Sequence, residues 1–186
     1  MWPFLRQEVA RACRDLCISS ADFKPLPIDE WYAVEEKTYS EFCRIQLNQR
    51  PTWMWDALNF RHPVASLITD FWVEPLLTTL LDPTQRVFLY VNETYRGTDK
   101  YWWYDGTVAA VQAVLEEVEG LDEWTLVDKK YQWLLCFTHH DVLVGSGKHI
   151  AEQLRLYAEK SGRIPELHFK PASLPVRPLP GRPDSQ

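Results

Sequence analysis

The chain of 186 residues has the usual length of one domain, and with 46% hydrophobic and 25% charged residues it has the composition of an ordinary globular protein. Its net charge of −6 disfavours nucleic-acid binding and docking on anionic membranes, because both need clustered lysine and arginine. The four cysteines are too few for a secreted disulfide framework, and no apolar stretch reaches the roughly 20 residues of a membrane span. We therefore expect one cytoplasmic domain over 1–170, without a cofactor.

Apolar residues spaced three and four apart predict several helices in the first half of the chain. These predicted helices cover 5–17, 31–45, 67–72 and 75–80. Asp29 is the expected N-cap of the second helix, because a short acidic side chain can accept from free backbone N–H groups. Residues 19–27, rich in serine and proline, are expected to form a loop.

From Arg86 onwards, β-branched and aromatic residues favour strands. The predicted strands cover 86–91, 101–104, 124–127, 131–137 and 142–144, and a polar loop is expected over 92–100. Two further helices are predicted over 108–118 and 150–157. Gly120 and Gly162 are expected to end them, because glycine readily adopts the left-handed conformation that follows a helix. The strand over 131–137 has apolar residues on both faces, so we expect it to be central, with Tyr131 and Trp133 on the same face.

This order of elements predicts an α+β fold. We expect a largely antiparallel sheet of about four to five strands in the second half, with the N-terminal helices and a C-terminal helix covering one face. Five of the sixteen residues over 171–186 are proline, so this tail is expected to be extended and flexible. Its two PxxP patterns leave open an adaptor role, in which the tail docks into an aromatic groove of a partner.

A run of acidic residues beside aromatic ones predicts a surface for a basic protein partner, because acids steer encounter and aromatics provide buried anchors. The candidate partner-binding residues are Glu116, Glu117, Glu119, Asp122, Glu123, Tyr101 and Trp102. The alternative interpretation of the acidic run is a solvated helix end and loop.

A second cluster contains three histidines and an aspartate: His139, His140, Asp141 and His149. Such residues are metal ligands or acid–base groups, and the turn at 145–147 could bring His149 back to the others. The alternative is a polar hairpin turn over 138–141 that is formed by Asp141.

Residues 130–143 read KYQWLLCFTHHDVL, and Trp103-Tyr104-Asp105-Gly106 precedes a predicted helix. This pattern resembles a KYxWLLCxxHHDxL segment of a family of small uncharacterised bacterial proteins, a likeness that covers about the second half of the chain and implies no activity. The size, acidity and architecture also resemble immunity proteins of polymorphic toxin systems. We therefore expect a non-catalytic binding protein, of the kind that neutralises a toxin through an acidic, aromatic surface. A metal-dependent hydrolase at the histidine cluster is the alternative.

Overall fold

The computed structural model describes residues 5–44, 50–51, 53–69, 75–95, 98–121 and 123–163, with the backbone alone at 94, 95, 98 and 99. The helices in this part of the chain are α1 (Leu5–Asp15), α2 (Ile28–Phe42), α3 (Leu76–Leu80), α4 (Val108–Glu117) and α5 (Lys148–Ser161). The strands are β1 (Phe23–Pro25), β2 (Val64–Ile68), β3 (Arg86–Tyr95), β4 (Thr98–Thr107), β5 (Trp124–Asp128), β6 (Leu134–Phe137) and β7 (Val142–Ser146). The predicted tail over 171–186 lies outside the described residues.

The strands form one seven-stranded sheet in the order β1-β4-β3-β5-β6-β7-β2, and every neighbouring pair is antiparallel. The α+β class and the interior position of β6 are confirmed. The predicted count of four to five strands is too low, because β1 lies in the predicted loop over 19–27 and β2 overlaps the predicted helix over 67–72. Residues 64–67 are all buried, so no alternation marked them as a strand. Phe71 and Trp72 lie outside the described residues.

The β3–β4 hairpin is longer than predicted, because the pairing continues through the polar stretch over 92–100 that was expected to be a loop. Strand β5 pairs with β3 only over Val87–Val91. The end of the hairpin therefore lies beyond the part of β3 that β5 covers. Polar side chains such as Asn92 and Glu93 are tolerated there because they are only partly buried.

Helices cover both faces of the sheet, which corrects the expectation of cover on one face. One apolar cluster joins the sheet to α1, α3, α4 and α5, and the other joins it to α2 and residues 54–58. In β6, Leu135 packs in the first cluster and Leu134 in the second, as the alternation of a strand requires. Tyr131 does not share the face of Trp133, because its φ of 56° places it in the turn before β6 and its ring packs on the α2 side.

The helix ends depend on caps that differ in part from those predicted. Pro27 is the N-cap of α2, so Asp29 lies inside the first turn and does not cap it. Thr107 caps α4 by accepting a hydrogen bond from the backbone N–H of Ala110. Gly162 ends α5 in the left-handed conformation, as predicted, whereas Gly120 lies beyond Val118, the C-cap of α4.

Trp133 is buried, as predicted, although it directly precedes β6 and does not lie within the strand, whereas His140 is exposed in the turn after β6. We expect Trp133→Ala to lower the free energy of unfolding by about 3–5 kcal/mol, since it removes a large apolar side chain and leaves a cavity. We expect His140→Ala to change it by no more than about 0.5 kcal/mol. Urea denaturation of both variants measures the two values. A larger loss for His140→Ala would contradict this assignment of core and surface.

Candidate functional site

The predicted aromatic anchors do not form a single surface. Tyr101 and Trp102 are neighbours in β4, so their side chains lie on opposite faces of the sheet. Tyr101 packs against the apolar cluster that contains α2, whereas Trp102 packs against the cluster on the other face. One partner cannot bury both rings in one contact.

Three of the predicted acidic residues are engaged within the chain. Glu117 forms an ion pair with Arg11 at 3.0 Å, and Glu116 accepts a hydrogen bond from the amide of Gln112 at 2.8 Å. Glu123 turns towards the histidines. Glu119 is exposed, and Asp122 lies outside the described residues. The acidic run is therefore largely a helix end held by its own neighbours.

The turn over 138–141 confirms the polar hairpin turn between β6 and β7. Its backbone is closed by a hydrogen bond from the N–H of Asp141 to the carbonyl of Thr138, and Asp141 has a φ of 58°. The Thr138 hydroxyl accepts from the N–H of His140 at 3.2 Å. This closed turn presents two consecutive histidines, His139 and His140, at the end of the sheet.

Glu123 binds His139 through a single carboxylate oxygen. This Oε1 atom is 2.5 Å from Nδ1 of His139 and 3.3 Å from its backbone N, and it also accepts from the indole N–H of Trp55 at 3.0 Å. The pairing of Trp124 with Phe137 explains the contact, since it brings the residues before β5 next to those after β6. A carboxylate only accepts hydrogen bonds, so Nδ1 of His139 is the donor in this contact.

Four aromatic rings meet at this turn, and we call Trp53, Trp55, His139 and His140 the histidine–tryptophan surface. The ring centroids of Trp53 and Trp55 are 6.0 Å apart with nearly parallel planes, and Trp53 is 5.3 Å from His139. The two imidazole centroids are 4.0 Å apart, and His140 is 6.0 Å from Trp55. Trp53 is 40% exposed. The two tryptophans were not among the predicted site residues, because contacts to residues more than 80 positions away leave no local pattern.

The structure brings together only part of the predicted metal-ligand set. His139 and His140 are adjacent, but His149 lies in the first turn of α5, at the far end of β7. A strand of five residues spans about 16 Å, so the turn at 145–147 does not return His149 to the others. Within the described ranges, no group of three or more histidine, cysteine, aspartate or glutamate side chains could hold a metal ion. The pair can act as two imidazole ligands or as a base.

The cysteines are all free. Burial raises the pKa of Cys43 to about 12 and also raises that of Cys136, so both are neutral thiols near pH 7. They pack in the α2 cluster as small apolar groups.

The Glu123–His139 contact predicts one tautomer of the imidazole. We expect the ring of His139 to carry its hydrogen on Nδ1 when neutral, since the carboxylate accepts only from that atom. Long-range ¹⁵N NMR of the imidazole nitrogens measures this directly. In Glu123→Ala the preference should change towards the Nε2 tautomer that is common in water, with His140 as the internal control. An Nε2–H form of His139 in the unmodified protein would contradict the assignment.

None of the helices in the described part of the chain combines the length and apolar character of a membrane span. No curated protein and no solved structure matches the chain significantly. Residues 1–158 match a family of unknown function, DUF6756, so the likeness extends over both halves of the sequence. The chain therefore belongs to this family, whose members have no assigned activity.

Proposed function

We propose that this protein is a non-catalytic binding protein that neutralises a cognate toxin in the manner of a bacterial immunity protein. The partner would dock on the histidine–tryptophan surface. The observation that carries the proposal is the position of Trp53, a residue that is 40% exposed while its ring lies against Trp55 and His139. Tryptophan is prominent among the residues that dominate binding energy in protein interfaces.

The surface is preorganised by a polar contact beneath it. Glu123 holds the indole of Trp55 and the imidazole of His139 through the same oxygen. Side chains that are already fixed lose little conformational entropy when a partner binds, so more of the contact energy appears as affinity. This rigidity supports a binding role.

The charge of the chain favours a basic protein partner. The net charge is −6, and two acidic side chains are exposed at the C-terminal end of α4, Glu116 in its last turn and Glu119 just after it. Opposite charge speeds the encounter of two proteins, whereas the aromatic contact determines how long they stay together. The same charge disfavours nucleic acid as the partner.

Co-expression with toxic proteins encoded beside the gene tests this function. We expect one neighbour to be bound and neutralised, and Trp53→Ala to weaken binding at least about tenfold, as expected for an interface anchor. Leu16→Ala is the matched control, because Leu16 is also 40% exposed but lies next to α1. Calorimetry on the purified pair measures the change. If no neighbour is toxic, or none is bound, the proposal fails.

The alternative is a metal-dependent hydrolase, which the contact between Glu123 and Nδ1 of His139 favours. Histidine ligands of metals usually donate their second ring nitrogen to a carboxylate or carbonyl, which orients the ring. His139 and His140 would supply two ligands, and a catalytic zinc ion would need at least one more protein ligand.

Metal analysis of protein purified without a histidine tag separates the two functions. Stoichiometric zinc, manganese or iron that is lost in His140→Ala would support the hydrolase. We expect the protein to be metal-free, because among the described residues no group of three or more histidine, cysteine, aspartate or glutamate side chains is placed to hold a metal ion.

A further inference from the structure

A buried carboxylate lies between α2 and the sheet, on the same face as the histidine–tryptophan surface. Glu35 is buried, its Oε1 atom is 2.8 Å from Nε of Arg50, and its Oε2 atom accepts from the indole N–H of Trp103 at 3.3 Å. Burial raises the pKa of the neighbouring Tyr39 and Tyr90, and the charge on Glu35 adds to the rise. A charge in such poorly hydrated surroundings requires a cation as its partner.

Aromatic rings complete the surroundings of this cation. The guanidinium carbon of Arg50 is 5.3 Å from the ring centroid of Trp31 and 4.9 Å from that of Tyr101. Both distances are within the roughly 6 Å over which a cation is attracted to a ring face. Tyr101 in turn stacks on Tyr90 at 5.9 Å. The carboxylate of Glu35 together with the rings of Trp31 and Tyr101 is chemically suited to bind a guanidinium group.

The surroundings of Arg50 open to solvent next to apolar residues. The side chain of Arg50 is 39% exposed. One side of α2 carries four residues of this region, because three of them follow the first at spacings of three, four and seven: Ile28, Trp31, Tyr32 and Glu35. Ile28 is 86% exposed, and Tyr32 is exposed with its ring edge-on to Trp31. An internal ion pair alone does not require exposed apolar side chains beside it, whereas a docking surface does.

Helix α2 also carries a strong negative charge. Its sequence contains five acidic residues and one lysine, and Asp29, Glu30 and Glu36 are exposed. This surface attracts cationic groups.

From this geometry we infer that Glu35, Trp31, Tyr101 and Trp103 form a receptor for an arginine side chain of a protein partner, and that Arg50 occupies it as an internal competitor until the partner binds. The inference rests on the proposed binding function and adds the chemistry of the partner. Arg50 keeps the buried carboxylate paired in the free protein. It also lowers the apparent affinity for the external arginine, because the site is open only when Arg50 has left it.

The receptor and the histidine–tryptophan surface are close enough for one partner. Arg50 and Trp53 are three residues apart, so their Cα atoms are separated by at most about 11 Å. Trp31, Tyr101 and Trp55 pack against the same apolar cluster. An arginine in the receptor would therefore lie beside a partner surface that covers Trp53.

Titration with the peptide acetyl-Gly-Arg-Gly-amide tests the receptor without the partner. We expect Arg50→Ala to bind the peptide at least tenfold more tightly than the unmodified protein, with a shift of the Trp103 indole N–H signal in NMR. The same peptide with citrulline, which is nearly isosteric but uncharged, should not bind. The double variant Glu35→Gln/Arg50→Ala should lose binding of the arginine peptide.

Arg50→Gln is a second variant in case Arg50→Ala does not fold, since it retains part of the stem against Trp31 but removes the cation. If a folded Arg50 variant does not bind the peptide, or binds the citrulline peptide equally well, the receptor is wrong. Once a partner protein is identified, its affinity for two variants distinguishes the arginine receptor from the proposed binding function. Unchanged partner affinity in Glu35→Gln, with weakened affinity in Trp53→Ala, would overturn the receptor and leave the binding function intact.

Discussion

The structure depends on burial of the central strands from both sides. All residues of β5 and β6 are buried, and their side chains alternate between two apolar clusters. Such strands are stable only when both faces of the sheet are covered. Four helices cover one face, whereas on the other the described cover is α2 and the short segment around residues 54–58.

The sparser layer on the α2 side explains why the polar contacts of interest lie there. Glu35 and Glu123 reach into this layer, and each is held by an indole N–H and a nitrogen-bearing side chain, Arg50 or His139. A buried carboxylate without such partners would cost several kcal/mol of stability. Because Glu35 and Glu123 must be paired, the indoles of Trp103 and Trp55 are held in fixed positions beside them. The surfaces that result are ordered and remain partly open to solvent.

The fold was largely predictable where local patterns were strong. Helix α1 and the strand that contains Val87 and Leu89 follow the expected periodicity, and the turn at Thr138–Asp141 follows its polar composition. Strand β2 was not predictable, because an apolar run that is buried on both faces has no alternation. His139, His140, Glu123 and Tyr101 were predicted as candidate site residues, but the residues that surround them were missed for a different reason. The contacts of Glu35 with Trp103 and of Trp55 with Glu123 both join residues 68 positions apart, and no spacing in the sequence encodes them.

The pairing of β2 with β7 has a consequence for synthesis of the chain. Val64 pairs with Ser146, so β2 cannot complete its pairing in the sheet until residue 146 has left the ribosome. Long-range antiparallel pairings of this kind slow folding, because the intervening loop must close before the contacts form. Until then the apolar side of α2 and the strand itself remain uncovered, which is the state in which chains of this size aggregate or recruit chaperones. A nascent chain that stops before Ser146 would leave β2 without its pairing partner, even though every residue of α1 and α2 had been made.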